Sequence, residues 1–363
     1  MCVRTLLLCG SRTGARWRGS YFVCTLQTRF TEGLYGEREE TGNSTDSLRT
    51  PMSESVSAAI TIQGNTLRYA EIKRLDQGHR LLRAGKESFP FDLARALLHE
   101  DGDSQQMGEV ARVLANVFQG SEARGLRVGV HPLDAYSFFT PISSNVPVRD
   151  RQRQLIQQAA LVTGAHSAGE LHLSSQTVRT TQDSDGEPFM WVHVLAVSET
   201  VNERMREMVG TLPMKRFDWV VSSEAASRVM SRIERTGGSA REALRPYTLA
   251  VGEYSTHTEF SLSRNREWYH AHYAEEAHSP DNRAYFAVGF LNRVGVPLDA
   301  VGRLFVYGHD VDRSAYEPFV SIFGRSPELL DPFQIVQSRD DHVVLDPCAH
   351  ATCVGAGMDE YVG

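Results

Sequence analysis

Apolar and polar positions alternate on either side of Gln63-Gly-Asn-Thr66, which predicts two strands, 58–62 and 67–72, joined by a tight turn. A third strand, 79–83, follows Asp76-Gln-Gly78. The period then lengthens. Leu93, Ala94, Leu97 and Leu98, then Val110, Val113, Leu114 and Val117, have helical spacing across 91–119, interrupted at the polar Asp101-Gly-Asp-Ser104. A strand at 126–130 ends before Pro132. A middle section holds a polar helix over 148–163 and strands at 170–175 and 190–197. A helix over 200–209 follows, with Ser198 as its cap. A strand at 217–221 and a helix over 223–233 lead to Thr236-Gly-Gly-Ser-Ala240, which reads as a linker.

The second half repeats the theme. Strands at 247–251, 258–263 and 267–273, a helix over 282–295 and a strand at 303–307 again give β-β-β-α-β. The chain has no short fixed period, so it is not a solenoid. Two similar units, each built once, are the main evidence for the fold.

Composition narrows the function. With 41% hydrophobic and 23% charged residues in 363, the chain is globular rather than disordered, and long enough for two domains. The net charge of -7 argues against a partner read through its phosphate backbone, so no nucleic acid is expected. No apolar run approaches the roughly 20 residues of a membrane span. Cys2, Cys9 and Cys24 lie in the N-terminal stretch, leaving Cys348 and Cys353 in the body. That is no disulfide framework, and it fits a reducing, cytoplasmic setting. Residues 1–52 are arginine-rich and lack amphipathic period, and Met52 stands just before the first good strand. They read as a disordered extension or a mis-called start.

The duplicated order, with an extra module inside the first unit, resembles the actin-like ATPase superfamily. The layout is most similar to its PilM branch, type IV pilus assembly proteins related to FtsA. The resemblance covers about 56–363. It rests on Ile60-Thr-Ile-Gln-Gly-Asn65 at the first phosphate turn, Ala250-Val-Gly-Glu-Tyr-Ser-Thr-His257 at the second and Phe305-Val-Tyr-Gly-His-Asp310 at the adenosine turn. Leu329-Leu-Asp-Pro-Phe333 and the glycine-ended 349–358 resemble the segments that close that fold. It implies an α/β, actin-like (ribonuclease H-like) architecture of duplicated β-β-β-α-β domains with a small inserted α+β module. The expected division is 1–52, 53–240 with the module at about 138–215, and 241–363.

The family places an acid two residues before a glycine at both phosphate turns, the acid holding magnesium through water. Here the first turn offers Thr61, Ile62, Gln63 and Gly64, and the second has its carboxylate displaced to Glu253. Without a carboxylate-held metal, triphosphate charge is poorly offset and attack by water loses its organiser. The resemblance therefore implies a non-catalytic cytoplasmic scaffold of a type IV pilus or type II secretion-like assembly, held at the inner face of the membrane through a partner. That partner is the cytoplasmic tail of a single-span, PilN-like membrane protein. The rival is an ATP-binding or sugar-kinase-like enzyme of the same superfamily, using Mg-ATP. In it Gly64 and Gly252 would approach phosphate, Glu253 would replace the second acid, Ser255 and Thr256 would contact phosphate, and Gly308 would lie under adenine.

Other groupings read blandly. His270 and His272, with His278, Glu275 and Glu276, have metal-ligand spacing but read as a solvated loop. Cys348-Ala-His-Ala-Thr-Cys353 lacks a second ligand pair for a structural zinc.

Overall fold

The structure, a computed structural model, describes residues 55–182, 185–214, 216–237, 245–277, 279–337 and 345–358. The N-terminal extension, most of the linker from Gly238 onward, His278 and the last five residues lie outside the described residues.

A six-stranded mixed sheet forms the first lobe. It contains β1 (Val56–Gln63), β2 (Thr66–Arg74), β3 (His79–Ser88), β4 (Gly125–Val130), β8 (Arg216–Val221) and the short β14 (Val336–Gln337), in the order β14-β3-β2-β1-β4-β8. β1, β4 and β8 are parallel neighbours, while β1-β2-β3 is an antiparallel meander. Ala58, Ala59, Ile60 and Ile62 of β1 are all fully buried, so this strand is covered on both faces. Gly64, at φ 55°, makes the β1–β2 turn that the sequence predicts.

The outer face packs on α1 (Leu93–Leu98), α2 (Ser104–Val117) and α4 (Glu199–Gly210), through Leu93, Leu97, Leu114, Val201 and Met205. The helical stretch predicted over 91–119 is therefore two helices. Asp92 and Asp103 cap them, accepting from Arg95 N and Gln105 N, which turns the polar break into a second helix start. α4, which the sequence assigned to the inserted module, packs into this first-lobe core.

The second lobe has a five-stranded sheet, ordered β11-β10-β9-β12-β13. Its strands are β9 (Tyr247–Glu253), β10 (Thr258–Arg264), β11 (Glu267–Ala274), β12 (Val301–Gly308) and β13 (Glu328–Leu329). The β10–β11 turn is carried by Asn265 at φ 53° and Arg266 at φ 70°. α6 (Pro280–Arg293) and α7 (Glu317–Phe323) cover its outer face around Phe260, Phe290 and Phe319. Ser279 caps α6 and Pro280 opens it, the favoured chemistry of a helix start.

Two helices lie between the sheets. α5 (Ser222–Gly237) and α8 (Pro347–Gly357) join Ala59 and Ile72 of the first sheet to Ala250 and Phe305 of the second. They pack very closely: a Cβ on Gly355 would sit 2.0 Å from the Ala225 carbonyl oxygen. α8 is buried on every side, which explains its run of Ala, Gly, Cys and Val.

The inserted module is an antiparallel sheet, β5-β7-β6, of β5 (Tyr136–Ser143), β6 (Leu171–Gln182) and β7 (Pro188–Ser198), covered by α3 (Val148–Thr163). It leans on β11. Phe139 stacks on His270 at 4.1 Å between ring centroids, and the Arg179 guanidinium lies 3.7 Å over the Tyr269 ring. This corrects the solvated-loop reading of His270 and His272. They sit on a strand inside an aromatic junction with Phe260 and Phe290, and burial holds their pKa values down, to about 3 and about 4.

Candidate functional site

The ends of β1, β4, β9 and β12 meet between the lobes, and the three predicted nucleotide turns stand there. The first is closed by its own backbone. The Gly64 carbonyl accepts from Leu93 N at 2.8 Å and Ala94 N at 3.1 Å, so it caps α1 and occupies that helix start. The Gln63 side chain accepts from Arg68 Nη1 at 3.1 Å. The turn carries no carboxylate.

At the second turn, Glu253 points away from the cleft. Its carboxylate pairs with Arg283 and accepts from the Tyr316 hydroxyl at 3.0 Å. Ser255 and Thr256 are exposed at the tip, and Thr256 Oγ1 lies 2.9 Å from His257 Nδ1. Gly252 is a glycine for a local reason: a Cβ there would meet the Tyr307 ring at 2.5 Å. Gly308, at φ 113°, is required because a Cβ would lie 2.1 Å from the Glu253 carbonyl oxygen, and that oxygen accepts from His309 N at 2.9 Å. The structure thus gathers Gly252, Glu253 and Gly308 at one end of the second sheet. The glycines serve strand-to-strand contact, and Glu253 is committed to an ion pair.

Tyr254 fills the space between the turns. It is 7% exposed, stacked on His257 at 4.9 Å and set edge-on to His131 at 4.3 Å. Beneath it lies Glu259, with no exposed surface. Its Oε1 accepts from His131 Nδ1 at 2.7 Å, His257 Nε2 at 3.0 Å and Ser222 Oγ at 2.6 Å, and its Oε2 from the Tyr307 hydroxyl at 3.0 Å. His131, just after β4, and Ser222, opening α5, come from the first lobe. His257, Glu259 and Tyr307 come from the second. One carboxylate therefore ties the lobes together.

Burial alone would raise the Glu259 pKa. The charges and hydrogen bonds of His131 and His257 overcome it and hold the carboxyl well below its ordinary range. The same burial and the Glu259 charge push the Tyr254 and Tyr307 phenols far up. Asp134, near both histidines, is raised by desolvation.

Two imidazoles and a carboxylate within 4.8 Å of one another also have the makings of a metal site. The donor geometry speaks against it. Both nitrogens and the serine hydroxyl converge on the carboxylate oxygen itself, and a cation would have to displace three hydrogen bonds in a fully buried spot. The cluster is complete as a hydrogen-bonded hub.

Sequence reasoning missed this hub. Glu259 sits mid-strand in Thr-Glu-Phe-Ser-Leu, where alternation would place either face inward, and its partner His131 lies 128 residues away. The usable signal was a carboxylate two positions from a histidine in a strand otherwise flanked by buried residues.

No family model matches the chain, and no curated protein matches it in sequence. Solved structures do. A PilM–PilN type IV pilus biogenesis complex is similar at 12% identity and a TM-score of 0.57, covering 83% of this chain and 97% of that one. A Bacteroides thetaiotaomicron protein of actin-like ATPase fold and unknown function covers 86% of this chain and 100% of its own, at 9% identity and a TM-score of 0.45. The cytoplasmic domain of EpsL, from the type II secretion system of Vibrio cholerae, covers 84% and 94%, at 9% and 0.40. With two duplicated sheets, two helices between them and an inserted module, the chain has the actin-like ATPase fold, in a form similar to that of the PilM–PilN complex.

Proposed function

We propose that this chain is a non-catalytic scaffold of a type IV pilus or type II secretion-like assembly. Its ligand is the cytoplasmic tail of a single-span membrane protein, and it sits at the inner face of the membrane through that partner. No helix among the described residues is long and apolar enough to cross a membrane itself.

The observation that carries this reading is the filled cleft. Where a nucleotide and its magnesium would need carboxylates and open backbone donors, Tyr254 packs on His131 and His257, the Gly64 carbonyl caps α1, and Glu253 is paired with Arg283. Catalysis of phosphoryl transfer rests on metal and positioning, and neither turn presents a free carboxylate to hold the metal: the first has none, and Glu253 is paired with Arg283. A protein that keeps the fold without that apparatus retains its surfaces, and surfaces serve binding. The fold's likeness to a two-protein pilus complex supports a protein partner.

The test is calorimetric titration of the full chain with the cytoplasmic tail of the single-span protein encoded beside it. Saturable 1:1 binding, unchanged by Mg-ATP, is expected. Absence of binding at high tail concentration, or binding that needs Mg-ATP, overturns the reading.

A further inference from the structure

Two strand irregularities meet where the inserted module leans on the second lobe. An extra residue, Val178, interrupts the pairing of β6 with β7, and another, Tyr269, interrupts that of β11 with β10. Bulges of this kind re-aim the side chains around them. Here the Arg179 guanidinium lies 3.7 Å over the Tyr269 ring and 5.0 Å from Trp191. Arg264, which ends β10, stands 6.0 Å from the same Tyr269 ring and 5.5 Å from Tyr247. The two tyrosines touch edge to face at 5.4 Å. One cation from the module and one from the lobe therefore share a single aromatic surface.

No acid balances them. Among the described residues neither arginine has an ion-pair partner, and Glu267, opposite Arg264 across the hairpin, does not pair with it. The Nε and Nη1 groups of Arg179 lack a hydrogen-bond partner. Burial lowers the Arg179 pKa; Tyr269 and Tyr247 offset part of that, and the Arg264 charge adds to it. Stacking engages the faces of a guanidinium and leaves its in-plane N–H groups for an acceptor. Arg264 is exposed, as is Arg266 in the same turn, so the cluster opens to solvent at that end. In a chain of net charge -7 this is a local reversal of sign.

We propose that Arg179 and Arg264 form a docking site for an acidic segment of a protein partner, whose carboxylates bridge the module and the second lobe. Guanidinium and carboxylate match in shape as well as charge, and rings that fix the fork lower the cost of ordering it. That the partner is a protein rests on the scaffold reading above; that its segment is acidic rests on this cluster.

The test titrates the full chain with a hexaglutamate peptide at neutral pH and low salt. Tryptophan fluorescence is the readout, since Trp191 adjoins Arg179. Hexaglutamine and inorganic phosphate are the controls. A saturable change with hexaglutamate alone is expected, with slower hydrogen exchange where β6 and β11 meet. Arg264→Gln, at an exposed position, should fold like the parent and weaken the peptide about tenfold, the worth of one charge-assisted hydrogen bond. Arg179→Met should weaken it at least as much. No saturable response, or equal affinity in Arg264→Gln, overturns the site. Phosphate displacing the peptide at like concentration also overturns it, because the cluster would then take any free anion. The membrane-protein tail is titrated separately. Tail binding without hexaglutamate binding removes this site and leaves the scaffold reading standing; the reverse removes the tail and leaves the acidic-segment site.

Discussion

The β1–β2 and β9–β10 turns occupy matching places in the two halves of a duplicated chain, yet they do opposite things. The first is two residues long and exposed: the Gly64 carbonyl caps α1, and the Asn65 side chain donates to the Phe89 carbonyl at 3.3 Å. The second is longer and turns Tyr254 and His257 inward over a carboxylate held by four donors, leaving Ser255 and Thr256 exposed at its tip. The same path through space thus caps a helix in one lobe and closes the cleft in the other. Duplication preserves chain geometry, whereas chemistry is decided by which side chains face inward.

The comparison breaks most sharply at Glu259. Glu259→Ala leaves four buried donors without an acceptor and should cost about 3–5 kcal/mol, read by urea unfolding. Glu259→Gln keeps the shape and should cost about 1–3 kcal/mol. A loss under 1 kcal/mol for the alanine variant would mean that the hub does not join the lobes. Next comes Gly308→Ala, which forces a Cβ against the Glu253 carbonyl at positive φ and should cost about 1–3 kcal/mol. The matching change in the first turn is milder. Gly64→Ala meets no atom within 4 Å and should cost only about 1 kcal/mol, from φ 55° alone. Equal losses at the two glycines would erase the contrast.

Acid separates two other regions. His193 and His270 are held neutral by burial, at about 3, and His272 at about 4, whereas an unfolded histidine titrates near 6.5. The unfolded chain then binds more protons, so the contact between module and second lobe should weaken progressively as pH falls from about 6.5 towards 4. Glu259 has the same sign in a lower window. Its contribution is complete above the ordinary carboxylate value of about 4.3 and is lost as pH falls further below it. Hydrogen exchange across pH 7 to 3 should show the module loosening first. His270→Phe should flatten only the upper step, and Glu259→Gln only the lower.

Much of the architecture was legible because it is local. Hairpins with Gly64 and Gly78, the 3.6-residue periods of α2 and α6, and the repeated β-β-β-α-β order are written in adjacent residues. α4 was misplaced because its stripe of Val201, Met205 and Val209 says that it packs, not against which core. The histidines of β11 were read as solvated because an imidazole pattern does not reveal that Phe139 stacks on it. The hub was illegible for the same reason: His131, Ser222 and Glu259 become neighbours only after folding.

The most direct test of the central claim is calorimetric titration of Mg-ATP into the full chain. With the cleft filled by Tyr254, His131 and His257, no saturable heat should appear up to millimolar nucleotide. A 1:1 isotherm of micromolar affinity would contradict the account.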